Sequence, residues 1–99
     1  MGMVLRPLST GGKVNGTGTV TLSGHRENGG LFGGAMISAD GTNVATVIIR
    51  KNDANGEVIF DVATATALPM LAPIETRTDV IYYSVTGTNA SAMLYEWVP

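Results

Sequence analysis

Short runs in which apolar and polar residues alternate make up most of the chain, and turn-forming residues separate them. The clearest runs cover residues 19–23, 43–51, 57–65, 79–85 and 90–98. A period of two places successive side chains on opposite faces of a sheet, and the many β-branched residues suit that setting. No window combines a 3.6-residue period with helix caps, so we expect no long helix. With turn signals about every 10–12 residues, the pattern predicts an all-β fold: a small antiparallel β-sandwich, jelly-roll-like, of about six to seven strands.

The middle of the chain predicts a hairpin. Residues 43–51 are apolar on both faces at Val47-Ile48-Ile49, which is typical of a central strand. Asp53-Ala54-Asn55-Gly56 predicts a tight turn, because Asn and Gly tolerate positive φ. Residues 57–65 then return as a strand. The face of that strand expected to point inward holds Val58, Phe60 and Val62.

Glycine and proline mark irregular places along the pattern. Gly33-Gly34 indicates a β-bulge in the strand expected over residues 31–38. Pro69 and Pro73 predict that residues 66–79 form an extended segment that passes from one sheet to the other. Residues 24–30 are expected to form a polar loop.

The first 18 residues differ from the rest of the chain. Residues 3–8 are rich in apolar side chains but include Pro7, and residues 11–18 hold four glycines. We expect residues 1–18 to be either an edge strand or an arm that adds to a neighbouring molecule as an edge strand. Residues 19–99 are expected to form a single sandwich domain.

Composition narrows the possible functions. The 99 residues carry a net charge of −2, and only 14% of them are charged, against about a quarter in an average soluble domain. Such a surface is suited to being covered by a partner or by copies of the chain. No basic stripe is present to bind phosphates, and no apolar run is long enough to cross a bilayer. We therefore expect neither nucleic-acid binding nor membrane insertion.

The residues that carry chemistry form no recognisable site. His25 is the single histidine, it lies in the expected polar loop, and no Gly-x-Ser-x-Gly motif accompanies it. The run from Asp53 to Glu57 lacks the outer ligands of a calcium loop, because Lys51 and Val62 occupy those places. Asp61 is expected to face solvent. The sequence predicts no enzyme, no metal site and no cofactor.

Candidate contacts to a partner lie at both ends of the chain. Tyr95 and Trp97 are two residues apart, so they share one face of the last strand. They form either a core-facing pair or an exposed aromatic patch that anchors an interface. The apolar N-terminal segment likewise belongs either to the domain itself, as its first strand, or to an interface, as an arm on a neighbouring molecule. The candidate partner-binding residues are Val4, Leu5, Arg6, Leu8, Tyr95 and Trp97.

Residues 41–98 carry a resemblance to a known group of proteins. Gly41 to Ile49 reads Gly-Thr-Asn-x-Ala-Thr-Val-x-Ile, and Tyr83 to Ala90 reads Tyr-x-Val-Thr-Gly-Thr-x-Ala. The Asn-Gly turn and an Ala/Pro-rich stretch, residues 67–73, lie between them. In this order the segments resemble the small β-sandwich structural proteins of tailed-bacteriophage virions.

The resemblance implies a virion structural protein, in first place a capsid decoration (cement) protein that stabilises a phage shell without catalysis. Such a protein would be made in the host cytoplasm and located on the capsid surface. It would contact the major capsid protein or another virion protein as a homo-oligomer, with a trimer favoured. The alternative is a tail, fibre or head–tail joining domain. A version of it that binds a host-surface glycan would use Tyr83, Tyr95 and Trp97.

Overall fold

The computed structural model describes residues 3–8, 12–22 and 30–99, apart from the side chains of residues 69–71. Within these ranges the chain forms eight strands and no helix. The strands are β1 (Val4–Pro7), β2 (Gly16–Thr21), β3 (Gly30–Ser38), β4 (Ala45–Lys51), β5 (Val58–Thr64), β6 (Leu68–Thr78), β7 (Val80–Thr86) and β8 (Ser91–Val98). The predicted all-β class is confirmed. The strands number eight because the expected crossing segment, residues 66–79, contains β6.

The strands form two four-stranded antiparallel sheets. The first sheet has the order β1-β8-β3-β6 and the second has the order β2-β7-β4-β5. Strand β4 pairs with β5, β3 with β6, β2 with β7, and β1 with β8. The chain is therefore one long hairpin whose two arms stay paired while the ribbon rolls into a sandwich. This nesting is the jelly-roll arrangement that the sequence analysis expects.

The core lies between the two sheets. Val47 and Ile49 of β4 are completely buried, and β4 lies between β7 and β5, which confirms its predicted central place. Phe32 of the first sheet meets Phe60 of the second edge to face, with ring centroids 6.2 Å apart. This geometry is favourable for aromatic rings and adds to the burial of their apolar area.

The turn between β4 and β5 is at the predicted place but is longer than a tight Asn-Gly hairpin. Its six residues run from 52 to 57, and the positive φ falls at Asn52, at 70°, rather than at Asn55-Gly56. Gly56 is needed for space, because a Cβ there would overlap the carbonyl oxygen of Lys51. The predicted turn over Asp53 to Gly56 is present, since the Gly56 N–H donates to the Asp53 carbonyl at 3.0 Å, and only the expected place of the positive φ is wrong.

A register shift also changes the start of β5. Phe60 is opposite Ile49 of β4, but Val58, and not Ile59, is opposite the next residue, Arg50. Ile59 is therefore the extra residue. Val58 is 41% exposed, so it does not share the inward face with Phe60 and Val62 as predicted. A bulge has this effect because one extra residue reverses the direction of every side chain that follows.

The predicted bulge at Gly33-Gly34 is confirmed, since β3 shifts register between Phe32 and Gly34 against both of its neighbours. Strand β6 lies at the edge of the first sheet. An edge strand tolerates proline because its outward N–H groups have no strand partner, which accounts for Pro69 and Pro73 within a strand.

The N-terminal segment lies along β8. Strand β1 pairs with β8 from Val4 opposite Val98 to Pro7 opposite Tyr95. The N–H of Leu8 then donates to the Leu94 carbonyl at 2.9 Å, and the N–H of Val14 donates to the Ala92 carbonyl at 2.8 Å. Of the two expected arrangements, the structure has the edge strand. Part of the glycine-rich stretch and the predicted polar loop with His25 lie outside the described residues.

Candidate interaction surface

The side of β8 that points away from the core carries Met93, Tyr95 and Trp97, all half-buried, while the residues between them are buried. The strand register places Leu5 of β1 beside Trp97, and Met36 of β3 beside Met93. These five residues form one continuous area on the outer face of the first sheet, which we call the outer apolar patch.

Contacts within the protein hold the two aromatic rings of this patch. The Tyr95 hydroxyl lies 3.3 Å from the sulfur of Met36 and 3.3 Å from that of Met93, and it can donate to either. The Trp97 indole N–H donates to the Ile74 carbonyl of β6 at 2.6 Å. The polar atoms of both rings are thus satisfied internally, and the rings present mainly apolar surface to the outside.

Leu5 completes the patch by reaching across β8 to the bulge of β3. The bulge residue there is Gly33, and a Cβ on it would overlap the Cδ2 of Leu5. Glycine at this position therefore leaves the space that the Leu5 side chain occupies. This contact joins β1 to β3 across the outer face of the first sheet, in addition to the pairing of β1 with β8.

A small depression continues the outer apolar patch toward β6. It has a volume of about 190 Å³, and Met36, Met93 and Leu68 contribute to its walls. Lys13 is at its rim and donates to the Ser38 hydroxyl at 3.1 Å. The depression can accept an apolar side chain, with one positive charge beside it.

The outer face of the second sheet has a different character. The strand register turns a series of hydroxyl side chains outward there. They belong to Thr17, Thr19, Thr21, Thr46, Ser84 and Thr86. The same face also carries Ile48, Val80, Tyr82 and Arg50, so its apolar side chains are interspersed with hydroxyl and charged ones. The two outer faces therefore differ in arrangement, since on the first the methionine and aromatic side chains adjoin one another.

Beneath the patch, on the inner face of the same sheet, lies a buried carboxylate. Glu96 is completely buried, and the Nε of Arg6 lies 3.5 Å from its Oε2. A carboxylate removed from water is costly unless it is paired or hydrogen-bonded, so Arg6 stabilises it. The Arg6 side chain itself is 49% exposed. The ion pair links β1 to β8 from the core side.

The structure brings together three of the six predicted partner contacts, Leu5, Tyr95 and Trp97. Of the others, Arg6 faces inward to Glu96, and Leu8 is 4% exposed and belongs to the core. The sixth, Val4, is 59% exposed at the start of β1, on the face opposite Leu5.

Sequence reasoning missed two members of the patch, Met93 and Met36. The alternation along β8 could have revealed Met93, because it shares a face with Tyr95 and Trp97. The place of Met36 follows only from the pairing of β3 with β8. Tyr83, expected beside Tyr95 and Trp97 in a glycan site, instead packs against the core from the second sheet.

A polar cluster joins two loops at one end of the sandwich. The Asp40 carboxylate accepts the backbone N–H groups of Asn43 and Thr42 at 2.7 and 2.8 Å. It also accepts the side-chain amides of Asn43 and Asn89 at 2.7 and 3.0 Å. These donors, the Asn43 backbone first among them, hold the pKa of Asp40 well below its ordinary value of 3.8. The cluster holds the two loops together.

In the described part of the chain, no group of three or more His, Cys, Asp or Glu side chains is arranged to hold a metal ion. The described residues also include no helix that is long and apolar enough to cross a membrane.

Comparison with known proteins gives one similarity. An "Uncharacterized protein" of Archaeoglobus fulgidus is 30% identical to this chain over 74 residues. The match covers 66% of this chain and 29% of that relative. No protein-family model and no solved structure matches the chain. The chain is thus similar to one segment of a longer archaeal protein.

Proposed function

We propose that this protein is a non-catalytic structural domain that attaches to a larger protein assembly through the outer apolar patch. We further propose that the assembly is a virus shell, on whose surface the protein acts as a decoration (cement) protein. The observation that carries the proposal is the outer apolar patch, in which five apolar and aromatic side chains adjoin one another on one outer face. A sandwich needs apolar side chains only on its inner faces, so methionine and aromatic residues on one outer face indicate a surface that a partner covers.

The size of this face supports attachment. Four strands about 4.8 Å apart, and eight residues of β8 at about 3.3 Å each, give a face of roughly 19 by 26 Å, or about 500 Å². Standard interfaces bury about 800 Å² on each partner. A single contact of this size is therefore weak to moderate. Many copies bound side by side on one shell would hold firmly, because each contact then adds to the others.

The chemistry of the patch supports a protein partner. Aromatic residues and methionine are enriched in protein interfaces, and charged residues are depleted at their centres. Tyr95 and Trp97 are already held by Met36, Met93 and the Ile74 carbonyl, so little side-chain freedom is lost on binding. The resemblance of residues 41–98 to virion β-sandwich proteins suggests the major capsid protein as that partner. The trimer implied by the same resemblance stays a prediction.

Sedimentation of virus-sized particles from the organism that makes this protein tests the proposal. Particles are purified on a density gradient, stripped of the protein with mild denaturant, and mixed with the recombinant chain. We expect the chain to return to the particle band in a saturable manner, with a fixed ratio to the shell protein. If the chain stays at the top of the gradient, the proposed attachment to a shell is wrong.

Two matched variants test which face binds. Tyr95→Lys places a charge in the outer apolar patch, and Thr19→Lys places the same charge on the outer face of the second sheet. We expect at least about tenfold weaker particle binding for Tyr95→Lys, since an aromatic anchor is typically worth 2 kcal/mol or more, and little change for Thr19→Lys. Circular dichroism and thermal unfolding check that both variants fold. Equal loss in the two variants would exclude the outer apolar patch as the binding surface.

A further inference from the structure

Four strands lie at the edges of the two sheets: β1 and β6 in the first, and β2 and β5 in the second. An edge strand exposes unpaired N–H and C=O groups, and natural proteins commonly blunt such edges with short strands, proline or charge. Strand β1 has only four residues and ends at Pro7, while β6 contains Pro69 and Pro73. Strand β2 is weakened by Gly16 and Gly18 among its six residues.

Strand β5 is the least blunted of the four, since it carries one charge, Asp61, and its bulge is confined to its first residues. Its seven residues, Val58–Thr64, include no proline, glycine or lysine. Four of the seven are bulky apolar residues, which favour strand pairing. In the described ranges, no strand is hydrogen-bonded to the outer side of β5. Of the four edges, β5 is therefore the one most open to a further strand.

We propose that the outer edge of β5 pairs with the same edge of a second copy of this chain, antiparallel around a two-fold axis. The second sheet would then continue across two molecules. Self-pairing needs only one open edge, whereas a head-to-tail contact needs a second and different one. Because β1, β2 and β6 are blunted more strongly than β5, the edge best suited to receive β5 is another β5.

The ladder between β4 and β5 indicates the register of this contact. It is regular from Ala45 opposite Thr64 to Ile49 opposite Phe60, and it shifts beyond that point. The regular part of β5 therefore runs from Phe60 to Thr64, with Val62 at its centre.

Pairing centred on Val62 places Val62 opposite its copy and Asp61 opposite Ala63 of the second molecule. Centring on Asp61 would instead place two carboxylates directly opposite each other, which is unfavourable. The structure thus assigns Ala63, an exposed residue, as the cross-molecule neighbour of Asp61.

The contact is independent of the proposed function, because it uses the edge of the second sheet and leaves the outer apolar patch free. Five paired residues make a small interface, so we expect a dissociation constant on the order of 0.1–1 mM. Such a contact would be populated in concentrated solution or between neighbouring copies bound to one surface. It is two-fold, and in this it differs from the trimer implied by the sequence resemblance.

Sedimentation equilibrium of the full chain, from about 10 μM to 1 mM, tests the contact, with two substitutions at one position. Ala63→Lys places an ammonium group opposite Asp61 of the other copy, twice per dimer, and should tighten the dimer about 2- to 30-fold. Ala63→Glu places a carboxylate there and should weaken the dimer by a similar factor. Ser84→Glu on β7, a similar added charge two strands from the edge, should change the dissociation constant much less.

Three results would overturn the proposal: a monomer at every concentration, species larger than a dimer without a populated dimer, or the same effect for Ala63→Lys and Ala63→Glu. Growth beyond two copies would indicate a head-to-tail contact, for example of β5 with β2. Both Ala63 variants change an exposed side chain, and their unfolding curves verify that the fold is retained.

Discussion

Leu8 offers the sharpest test of whether the N-terminal segment is part of the sandwich. It is 4% exposed and belongs to the core, and its N–H donates to Leu94. Leu8→Ala removes three carbon atoms, worth about 0.8 kcal/mol each by transfer, and leaves a cavity that raises the cost toward the 2–5 kcal/mol range. Because Leu8 follows an edge strand that can relax, we expect a loss of about 2–3 kcal/mol in the free energy of unfolding.

Urea unfolding followed by tryptophan fluorescence measures this loss, since Trp97 is the single tryptophan. In a domain of this size the melting temperature should fall by about 10–20 °C. Val4→Ala is the control, because Val4 is 59% exposed four residues earlier, and it should change stability by less than about 0.5 kcal/mol. If Leu8→Ala is as stable as Val4→Ala, the N-terminal segment is a detachable arm and the reasoning is wrong.

Two further predictions concern other parts of the fold. Gly33→Ala should destabilise the protein by up to about 1 kcal/mol, because the new Cβ overlaps the flexible end of Leu5, which must move. Adding Leu5→Ala should recover part of that loss, and additive effects in urea unfolding of the double variant would contradict the packing of Leu5 over the bulge. Asp40 has a lowered pKa in the folded state, so its hydrogen bonds stabilise the protein above its unfolded pKa of about 4 and progressively less as the pH falls below it. Asp40→Ala should therefore lose stability at pH 7 and show a smaller drop between pH 5 and pH 2 than the wild type. An equal or steeper drop in Asp40→Ala would refute the role of the cluster.

The sequence was sufficient for the all-β class and for the places of most strands, because these alternate clearly and their turns are marked. It did not give the pairing of the strands, which depends on contacts between distant parts of the chain. It was not sufficient to decide which face of β8 is inside. One face carries Ala92, Leu94, Glu96 and Val98, and the other carries Met93, Tyr95 and Trp97, so hydrophobicity alone favours the second as the core. The structure buries the first set.

The reason is a contact that local pattern cannot show. Glu96 is acceptable in the core because Arg6 reaches it from 90 residues away in sequence. The aromatic residues then face outward, where Leu5 and Met36 join them through strand pairing. Local pattern fails at Val58 for the same reason. Its exposure depends on a register shift between β4 and β5, which no feature of the β5 sequence reveals.

Hydroxyl-radical footprinting of the protein, free and bound to purified particles, tests the central claim most directly because it needs no substitution. Mass spectrometry gives the oxidation rate of each methionine and tyrosine. We expect Met36, Met93 and Tyr95 to be protected several-fold on the particle, and Tyr82, on the outer face of the second sheet, to react at the same rate in both states. Equal rates at Met36 and Met93 in the two states, or protection of Tyr82 alone, would contradict attachment through the outer apolar patch.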